Sequence, residues 1–333
     1  RFNCHMPWPL KAVVPSPEHV EGCFSACSGD GTTALSGHGI WRDSVGLERL
    51  SVPVEGSSTE SMTHGYCLSY TGRYVFGTGL NGVGTLRWDQ QEPFARKLGR
   101  SPGGIGVEMS PFECTREGDM AISAFDFWRE DTGPVDLVGY ASDAGVDLRP
   151  WSLVYVVGVS EDGTRIQGEG TSPGGDPKHW QIRFPSDWWT NESSPYCSPA
   201  VANSSGETAR ITAFGSTSIA SNSMRLEAHG LPASSAGFFL ASQTQGFAAM
   251  PGGSQGNLCL GGAIGRFDGS GQVQNSGQYQ RMLMQLDLNG MPTPSGLVAA
   301  QPGETWNFQL WYRDAVGGQA TSNFTDAVAV TLQ

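Results

Sequence analysis

The sequence predicts an all-β protein made of two β-sandwich-like domains, of the immunoglobulin or jelly-roll type, stapled by disulfides. The 333 residues include 46 glycines and 20 prolines, and only 16% of the residues are charged. That composition is typical of short strands joined by turns. The 38% of apolar residues can build a core in each of two domains of ordinary size. Long helical patterns are hard to find, whereas alternating apolar and polar residues recur.

The clearest strand lies near the end of the chain, over residues 304–312. Successive side chains of a strand point to opposite faces, so Trp306, Phe308, Leu310 and Tyr312 share one apolar face. Three of these side chains are aromatic and bury a large apolar area. We therefore predict that this strand is central to the core of the C-terminal domain.

Two domains are predicted, with a boundary near residue 190. Residues 1–190 form a β-rich domain whose first 60 residues or so are loop-rich and contain cysteines. Residues 191–333 form the C-terminal β-sandwich module, of about the size of an immunoglobulin-like domain. The predicted strands of this module are 209–214, 223–228, 237–241, 280–288, 304–312 and 327–332. The apolar faces of the last three strands are expected to meet.

The charge of the chain limits its partners. The formal net charge is -12 and the pI is about 4.9. Nucleic acid is not expected as a partner, because phosphate binding needs clustered Lys and Arg, and the 20 basic residues are scattered. No apolar run is long enough to span a membrane. A polar, weakly charged, acidic surface is typical of extracellular or cell-surface proteins, and the start at Arg1 favours removal of a signal peptide over a trimmed chain.

The seven cysteines favour disulfides over a metal or redox centre. None of their spacings makes a C-x-x-C pair. An odd count leaves one thiol free, buried or bonded to another chain. The cysteines are Cys4, Cys23, Cys27, Cys67, Cys114, Cys197 and Cys259.

An ordered series of short motifs in the second half resembles a C-terminal module found in many secreted proteins of planctomycete-like and myxobacterial-like bacteria. The resemblance covers about residues 195–333, and residues 1–190 resemble no family. It implies a secreted β-rich module without an assigned activity, so no catalytic residue is carried over. The segment after the first cysteine, 198–200, is shorter in Ser, Thr and Pro than is usual in the module. The motifs are Tyr196-Cys197, 203–206, 211–216, Leu226, 230–232, 258–262, 265–267, 302–309 and 311–314.

The resemblance also implies a disulfide. Cys197 and Cys259 fall at matching positions of the module, and their bond would close a loop of about 60 residues, worth about 4 kcal/mol in the chain-entropy model. The pairing of the other five cysteines is left open.

Motifs for catalysis are weak. Residues 252–256 match G-x-S-x-G around Ser254, but no helix follows, and a Gly-rich loop explains the match. His229 is interpreted as a turn residue next to Gly230-Leu231-Pro232 and not as a base. The six histidines, His5, His19, His38, His64, His179 and His229, show no paired spacing, so a metal centre would have to be assembled across distant segments.

An acidic group could supply paired carboxylates for glycoside hydrolysis or oxygen ligands for calcium. Solvated strand edges and turns are the simpler interpretation, because two of the segments are turn sequences. No D-x-D-x-D-G calcium loop is present, so the expectation is no cofactor, with calcium as the ion to test. The group consists of Asp126, Glu130, Asp131, Asp136, Asp143 and Asp147.

Four tryptophans are the candidate binding residues. Trp180, Trp188 and Trp189 cluster with Tyr196 near the predicted boundary, where exposed rings could stack on sugars and buried rings would pack between the domains. Packing is the favoured alternative. Trp311 points away from the apolar face of its strand and would be exposed in a monomer or covered in an assembly.

The sequence favours a secreted or cell-surface structural protein, with self-assembly into an appendage or filament as one form, and therefore a homo-oligomer or neighbouring subunits as partners. A carbohydrate-binding or adhesive module, with polysaccharide as its partner, is the first alternative. The second is a secreted hydrolase whose site lies in residues 1–190, with Asp126 and Glu130 as candidates. An enzyme is the less favoured class.

Overall fold

The computed structural model describes residues 26–79, 85–98, 113–123, 126–130, 132–143, 146 and 152–333. Over these residues the chain is almost entirely β-structure, and the prediction of an all-β fold is confirmed. The α-helix α1 (Leu137–Asp143) and a 3-10 turn (Pro251–Gly253) are short. In the described part of the chain, no helix has the length and apolar character needed to cross a membrane.

The chain divides into two compact units, Arg1–Phe184 and Pro185–Gln333. This division lies earlier than the boundary predicted near residue 190. Residues just after Pro185 bond within the second unit, since the Ser223 hydroxyl donates to the Asp187 carboxylate at 2.9 Å.

Among its described residues, the first unit has four antiparallel sheets that follow one another along the chain. Sheet 1 comprises β1 (Ala26–Cys27), β2 (Thr33–Leu35), β3 (Gly39–Arg42) and β4 (Gly46–Arg49). Sheet 2 comprises β5 (Val52–Pro53), β6 (Ser61–Leu68), β7 (Tyr74–Gly79), β8 (Thr85–Asp89) and β9 (Ala95–Lys97). Sheet 3 comprises β10 (Glu113–Cys114), β11 (Met120–Ile122), β12 (Asp126–Arg129) and β13 (Gly133–Asp136). Sheet 4 comprises β14 (Ser152–Val159), β15 (Arg165–Thr171) and β16 (Pro177–Arg183).

Sheet 2 buries both of its faces. Val75 belongs to a core shared with Leu35 of sheet 1. The next residue, Phe76, points to the opposite face, where its ring centroid lies 5.7 Å from that of Trp128 in sheet 3. Consecutive sheets of the first unit therefore share hydrophobic cores, whereas a single sandwich has one core between two sheets.

One turn motif recurs four times in the first unit, once in each sheet. In each copy a Ser or Thr hydroxyl accepts a hydrogen bond from the main-chain N–H five residues later, at 2.9 to 3.1 Å. A glycine three residues after the hydroxyl has φ of 70° to 74°, a left-handed conformation that favours glycine. The motif recurs about every 45 residues, which is typical of repeat architectures. The four pairs are Ser28 and Gly31, Ser69 and Gly72, Thr115 and Gly118, and Ser160 and Gly163.

The second unit contains thirteen strands, in which the predicted ones are recovered with shifted ends. They are β17 (Ser194–Tyr196), β18 (Arg210–Phe214), β19 (Arg225–His229), β20 (Ala236–Ser242), β21 (Thr244–Ala249), β22 (Asn257–Gly261), β23 (Gly265–Arg266), β24 (Gln274–Asn275), β25 (Met282–Gln285), β26 (Met291–Thr293), β27 (Gly296–Val298), β28 (Thr305–Val316) and β29 (Gln319–Thr331).

The core of the second unit lies between two sheets. The larger sheet has the order β17-β29-β28-β20-β23, with β24 beside β20, and the smaller has the order β18-β19-β25. The four apolar residues of β28 are buried in one cluster with Met282 and Met284 of β25 and with Val328 and Val330 of β29. The predicted meeting of these three apolar faces is confirmed.

The opposite face of β28 is also covered. Asn307 and Gln309 are both buried there, although a polar residue in an alternating pattern is expected to face solvent. The β21–β22 hairpin lies over this face, because the Gln309 side chain is hydrogen-bonded to β22. The second unit therefore has a third layer over its larger sheet.

Candidate functional site

Trp188 and Trp189 lie together, as the sequence indicates, around the buried side chain of Arg225. The guanidinium carbon of Arg225 is 3.8 Å from the Trp188 ring centroid and 5.6 Å from that of Trp189. The two indoles meet edge to face, with centroids 6.4 Å apart. The Arg225 cation occupies one face of Trp188. Both indoles are half-buried, so only part of each ring is open to a ligand.

Arg225 forms an ion pair with Glu227 on the same strand. Nε donates to Oε1 at 2.8 Å, and the two side chains are 0% and 5% exposed. Nη1 also donates to the Trp188 carbonyl oxygen at 2.5 Å. Two residues apart on β19, Arg225 and Glu227 point to the same face, which explains why they can pair. The arrangement fixes the Trp188 segment against β19.

The other two tryptophans are not part of this group. Trp180 belongs to the first unit, where its Nε1 donates to the Glu169 carbonyl oxygen at 2.8 Å. Trp311 is half-buried on the outer face of β28, with its ring centroid 4.9 Å from that of Phe238. Residues of the same unit therefore partly cover Trp311 in a single chain.

The acidic group is only partly assembled. Asp126 and Glu130 were the candidates for a hydrolase, but four residues along an extended strand separate their Cα atoms by about 13 Å. Glu130 instead pairs with Arg87, with 3.0 Å between Oε1 and Nη1. The catalytic pair suggested for residues 1–190 is therefore not brought together.

Asp126 and Asp136 do face each other, as register partners of β12 and β13. Side chains that are directly opposite have Cβ atoms about 4.5–5.5 Å apart. Asp136 is engaged at the start of α1, where its Oδ2 accepts a hydrogen bond from Gly139 N at 2.5 Å. Asp131 and Asp147 lie outside the described residues, as does the side chain of Asp143. Across the described ranges, no group of three or more His, Cys, Asp or Glu could hold a metal ion, calcium included.

Ser254 has a structural role. It is buried at the end of the 3-10 turn, and its hydroxyl donates to the Ser322 carbonyl oxygen at 2.8 Å. No histidine contact is made by this hydroxyl in the described hydrogen bonds, so the G-x-S-x-G match does not build a nucleophile. His229 is the last residue of β19, and burial lowers its pKa to about 4.

Within the part of the chain that the structure describes, two disulfides link distant segments. One joins Cys197 to Cys259, the pair that the resemblance implies, with Cα atoms 6.4 Å apart. The other joins Cys67 of β6 to Cys114 of β10, with Cα atoms 6.5 Å apart, and so connects sheets 2 and 3. Cys4 and Cys23 lie outside the described residues. Each unit therefore has a covalent cross-link.

A histidine pair in the first unit was not predicted. His38, in the turn between β2 and β3, and His64, in β6, approach with their Nδ1 atoms 3.3 Å apart. Burial lowers the pKa of His64, and the neighbouring His38 lowers it further. His38 and His64 are distant in the sequence and come together only where sheets 1 and 2 meet, so no sequence spacing predicts the pair.

Asp326 of β29 is a second group that the sequence did not indicate. Its carboxylate is buried and accepts a hydrogen bond from Ile211 N at 2.8 Å. Burial raises its pKa to about 6, and the hydrogen bond from Ile211, the charge of Arg210 and a hydrogen bond with Ser198 partly offset this. A buried carboxyl whose pKa is raised makes the stability of the protein depend on pH.

No protein-family model matches the chain, and no curated protein is significantly similar to it. The resemblance of residues 195–333 to a bacterial secreted module therefore stays a prediction.

Replacing Arg225 is expected to destabilise the second unit strongly. Arg225→Met leaves the buried Glu227 carboxylate without its cation, and loss of one partner of a buried pair costs about 3–5 kcal/mol. The double variant Arg225→Met/Glu227→Leu should regain most of that loss. Urea unfolding followed by tryptophan fluorescence measures the free energy of unfolding of the single and the double variant. Arg266→Met, at an exposed arginine, is the control. A double variant that is no more stable than the single one would contradict a paired buried charge.

Asp326→Asn is expected to stabilise the protein at neutral pH. The folded pKa of about 6 lies above the ordinary value of 3.8, so the folded state retains a proton that the unfolded state loses between these values. The contribution of Asp326 to stability therefore falls as pH rises from about 4 to about 6, by up to about 3 kcal/mol. The variant should gain up to this amount at pH 7 and nothing near pH 4, measured by urea unfolding at each pH. An equal gain for Asp268→Asn, at an exposed carboxylate, would contradict the burial explanation.

Proposed function

We propose that the protein is an extracellular or cell-surface structural protein whose second unit associates with further copies of the chain. The observation that carries the proposal is the exposure of large apolar side chains on that unit. Phe247 is 69% exposed and Leu297 is 74% exposed. Exposed apolar residues that form a patch are typical of contact surfaces between proteins. The disulfide in each unit also supports an extracellular location, where such bonds persist.

The local backbone is irregular at two exposed apolar side chains, Phe247 and Met250. Phe247 lies in the register irregularity between Gln245 and Ala248, where β21 is not paired residue for residue with β22. Met250 follows at the start of the turn, in a left-handed conformation with φ 45°. An irregular, bent edge re-aims side chains, and here it directs apolar ones to solvent.

The turn that carries Met250 is attached to the end of the β28–β29 hairpin. Gln255 N donates to the Ser322 carbonyl oxygen at 2.8 Å, and the Thr321 hydroxyl donates to the Gly253 carbonyl oxygen at 2.9 Å. The hairpin turn beyond carries Val316, which is also exposed. Met250 and Val316 therefore lie on segments that are joined by hydrogen bonds. Together with Phe247, three residues before Met250, they are called the apolar tip below.

A second copy of the chain is the occupant we assign to this surface. Copies with a net charge of -12 repel one another at long range, so short-range apolar contacts must supply the attraction. Salt screens that repulsion within about 10 Å at 0.1 M. Association should accordingly strengthen as the salt concentration rises, which is the opposite of what an oppositely charged partner would show.

Phe247→Ser is expected to weaken self-association about tenfold or more, because truncating an aromatic hot-spot residue costs about 2 kcal/mol or more, and about 1.4 kcal/mol is tenfold. Sedimentation velocity over a wide concentration range, at low and high salt, measures the effect. Val45→Ser, at an exposed apolar side chain of the first unit, is the control. A parent protein that stays monomeric at all concentrations would remove the proposal, and equal weakening by Val45→Ser would remove the role of the apolar tip.

Polysaccharide binding through Trp188 and Trp189 is the second candidate. The observation in its favour is that two adjacent, half-buried indoles are held rigidly by Arg225. Trp189→Ala should then abolish quenching of tryptophan fluorescence by soluble polysaccharides, while Trp180→Ala, in the first unit, leaves it unchanged. A glycan panel without any response in the parent protein would eliminate this candidate.

A further inference from the structure

The first two sheets of the first unit meet at a main-chain bridge between two glycines. Gly65 N donates to the Gly37 carbonyl oxygen at 2.8 Å. His38 and His64 are the sequence neighbours of these glycines, one on each segment. The bridge therefore sets the two imidazoles side by side from segments that are far apart in the sequence.

Gly37 allows this close approach. It has a left-handed backbone with φ 64°, and a Cβ atom there would lie 3.4 Å from Cε1 and 3.5 Å from Nε2 of His64. These distances are ordinary van der Waals contacts, so a side chain at this position would be disfavoured by the left-handed backbone and would cover the imidazole edge. The glycine leaves the His64 ring in place beside His38.

The spacing of the two nitrogens matches that of two ligands on one metal ion. The Nδ1 atoms are 3.3 Å apart, the ring centroids are 4.3 Å apart and the rings are perpendicular. Two metal–nitrogen bonds of about 2.0–2.1 Å at a tetrahedral angle place their nitrogens about 3.3 Å apart. The two nitrogens therefore already lie at the separation that a shared ion requires.

We propose that His38 and His64 form a two-histidine site, with Nδ1 of each as ligand, for a late first-row divalent transition-metal ion such as Cu²⁺, Ni²⁺ or Zn²⁺. Imidazole nitrogen suits these ions, whereas Mg²⁺ and Ca²⁺ prefer oxygen. His38 is exposed, so an ion can reach the pair from solvent. No third His, Cys, Asp or Glu joins the two within the described residues, and water completes the coordination.

Coordination changes the hydrogen bonding of the pair in a defined way. Nδ1 of His38 also lies 2.9 Å from the Thr63 carbonyl oxygen, to which it donates when it carries the ring proton. A bound ion requires lone pairs on both Nδ1 atoms, so each ring then carries its proton on Nε2. The hydrogen bond to Thr63 is exchanged for a bond to the ion, which makes the affinity moderate.

The test is a calorimetric titration of the untagged full chain, stripped with a chelator, with Cu²⁺, Ni²⁺ and Zn²⁺ in turn. The parent protein should bind Cu²⁺ most tightly, following the order of stability of such complexes. His38→Gln and His64→Gln should each weaken one site by tenfold or more. His179→Gln, at an exposed histidine outside the pair, is the matched control and should bind as the parent does. Mg²⁺ and Ca²⁺ should show no effect of any of these substitutions.

Two further readouts separate binding at the pair from binding elsewhere. Electron paramagnetic resonance of substoichiometric Cu²⁺ should show two nitrogen ligands in the parent and at most one in His38→Gln. Zn²⁺ should raise the midpoint of thermal unfolding in the parent and not in His38→Gln, because the ion links sheets 1 and 2. Because His38 is exposed, His38→Gln is expected to keep the fold. It therefore tests the proposal even if His64→Gln does not fold. Equal Cu²⁺ affinity and stoichiometry in the parent and His38→Gln would overturn the proposal.

Discussion

The buried side-chain amide of Gln309 is the constraint on which the layering of the second unit depends. Its Nε2 donates to the carbonyl oxygens of Asn257 and Thr325, at 2.9 and 2.8 Å, and its Oε1 accepts from Cys259 N at 2.9 Å. A buried amide that lost these partners would cost about 1–3 kcal/mol. The β21–β22 hairpin must therefore sit in one register over β28, and the disulfide at Cys259 reinforces it.

The first unit is organised by a local constraint instead. A hydroxyl that accepts a main-chain hydrogen bond, followed by a left-handed glycine, closes the same tight turn in every sheet. Each copy lies within a small antiparallel sheet, and neighbouring sheets share cores, as Leu35 and Val75 do. The bridge from Gly37 to Gly65 is one consequence, and the histidine pair exists only because two sheets are apposed there.

The sequence predicts local features of this structure well and long-range contacts poorly. The alternation over residues 304–312 predicted the apolar face of β28, because strand geometry is local. It could not predict that Gln309 is buried, since burial on the second face depends on a distant hairpin whose Gly-rich turn reads as a loop. The same limit applies to sites. The strand register that sets Asp126 opposite Asp136, and the bridge that joins His38 to His64, are tertiary contacts without a sequence spacing.

The tryptophans show why residue type alone does not identify a ligand site. Arg225 is fully buried, and a guanidinium there needs every partner in place: the Glu227 carboxylate, the Trp188 carbonyl oxygen and the indole face. The Trp188 ring therefore packs on the guanidinium of Arg225 and cannot reorient when a ligand binds. A sugar would meet a rigid surface, and the stacking energy would not be reduced by ordering of side chains. The two indole rings thus stabilise the fold around the buried cation. Any ligand that they bind must fit the positions in which Arg225 holds them.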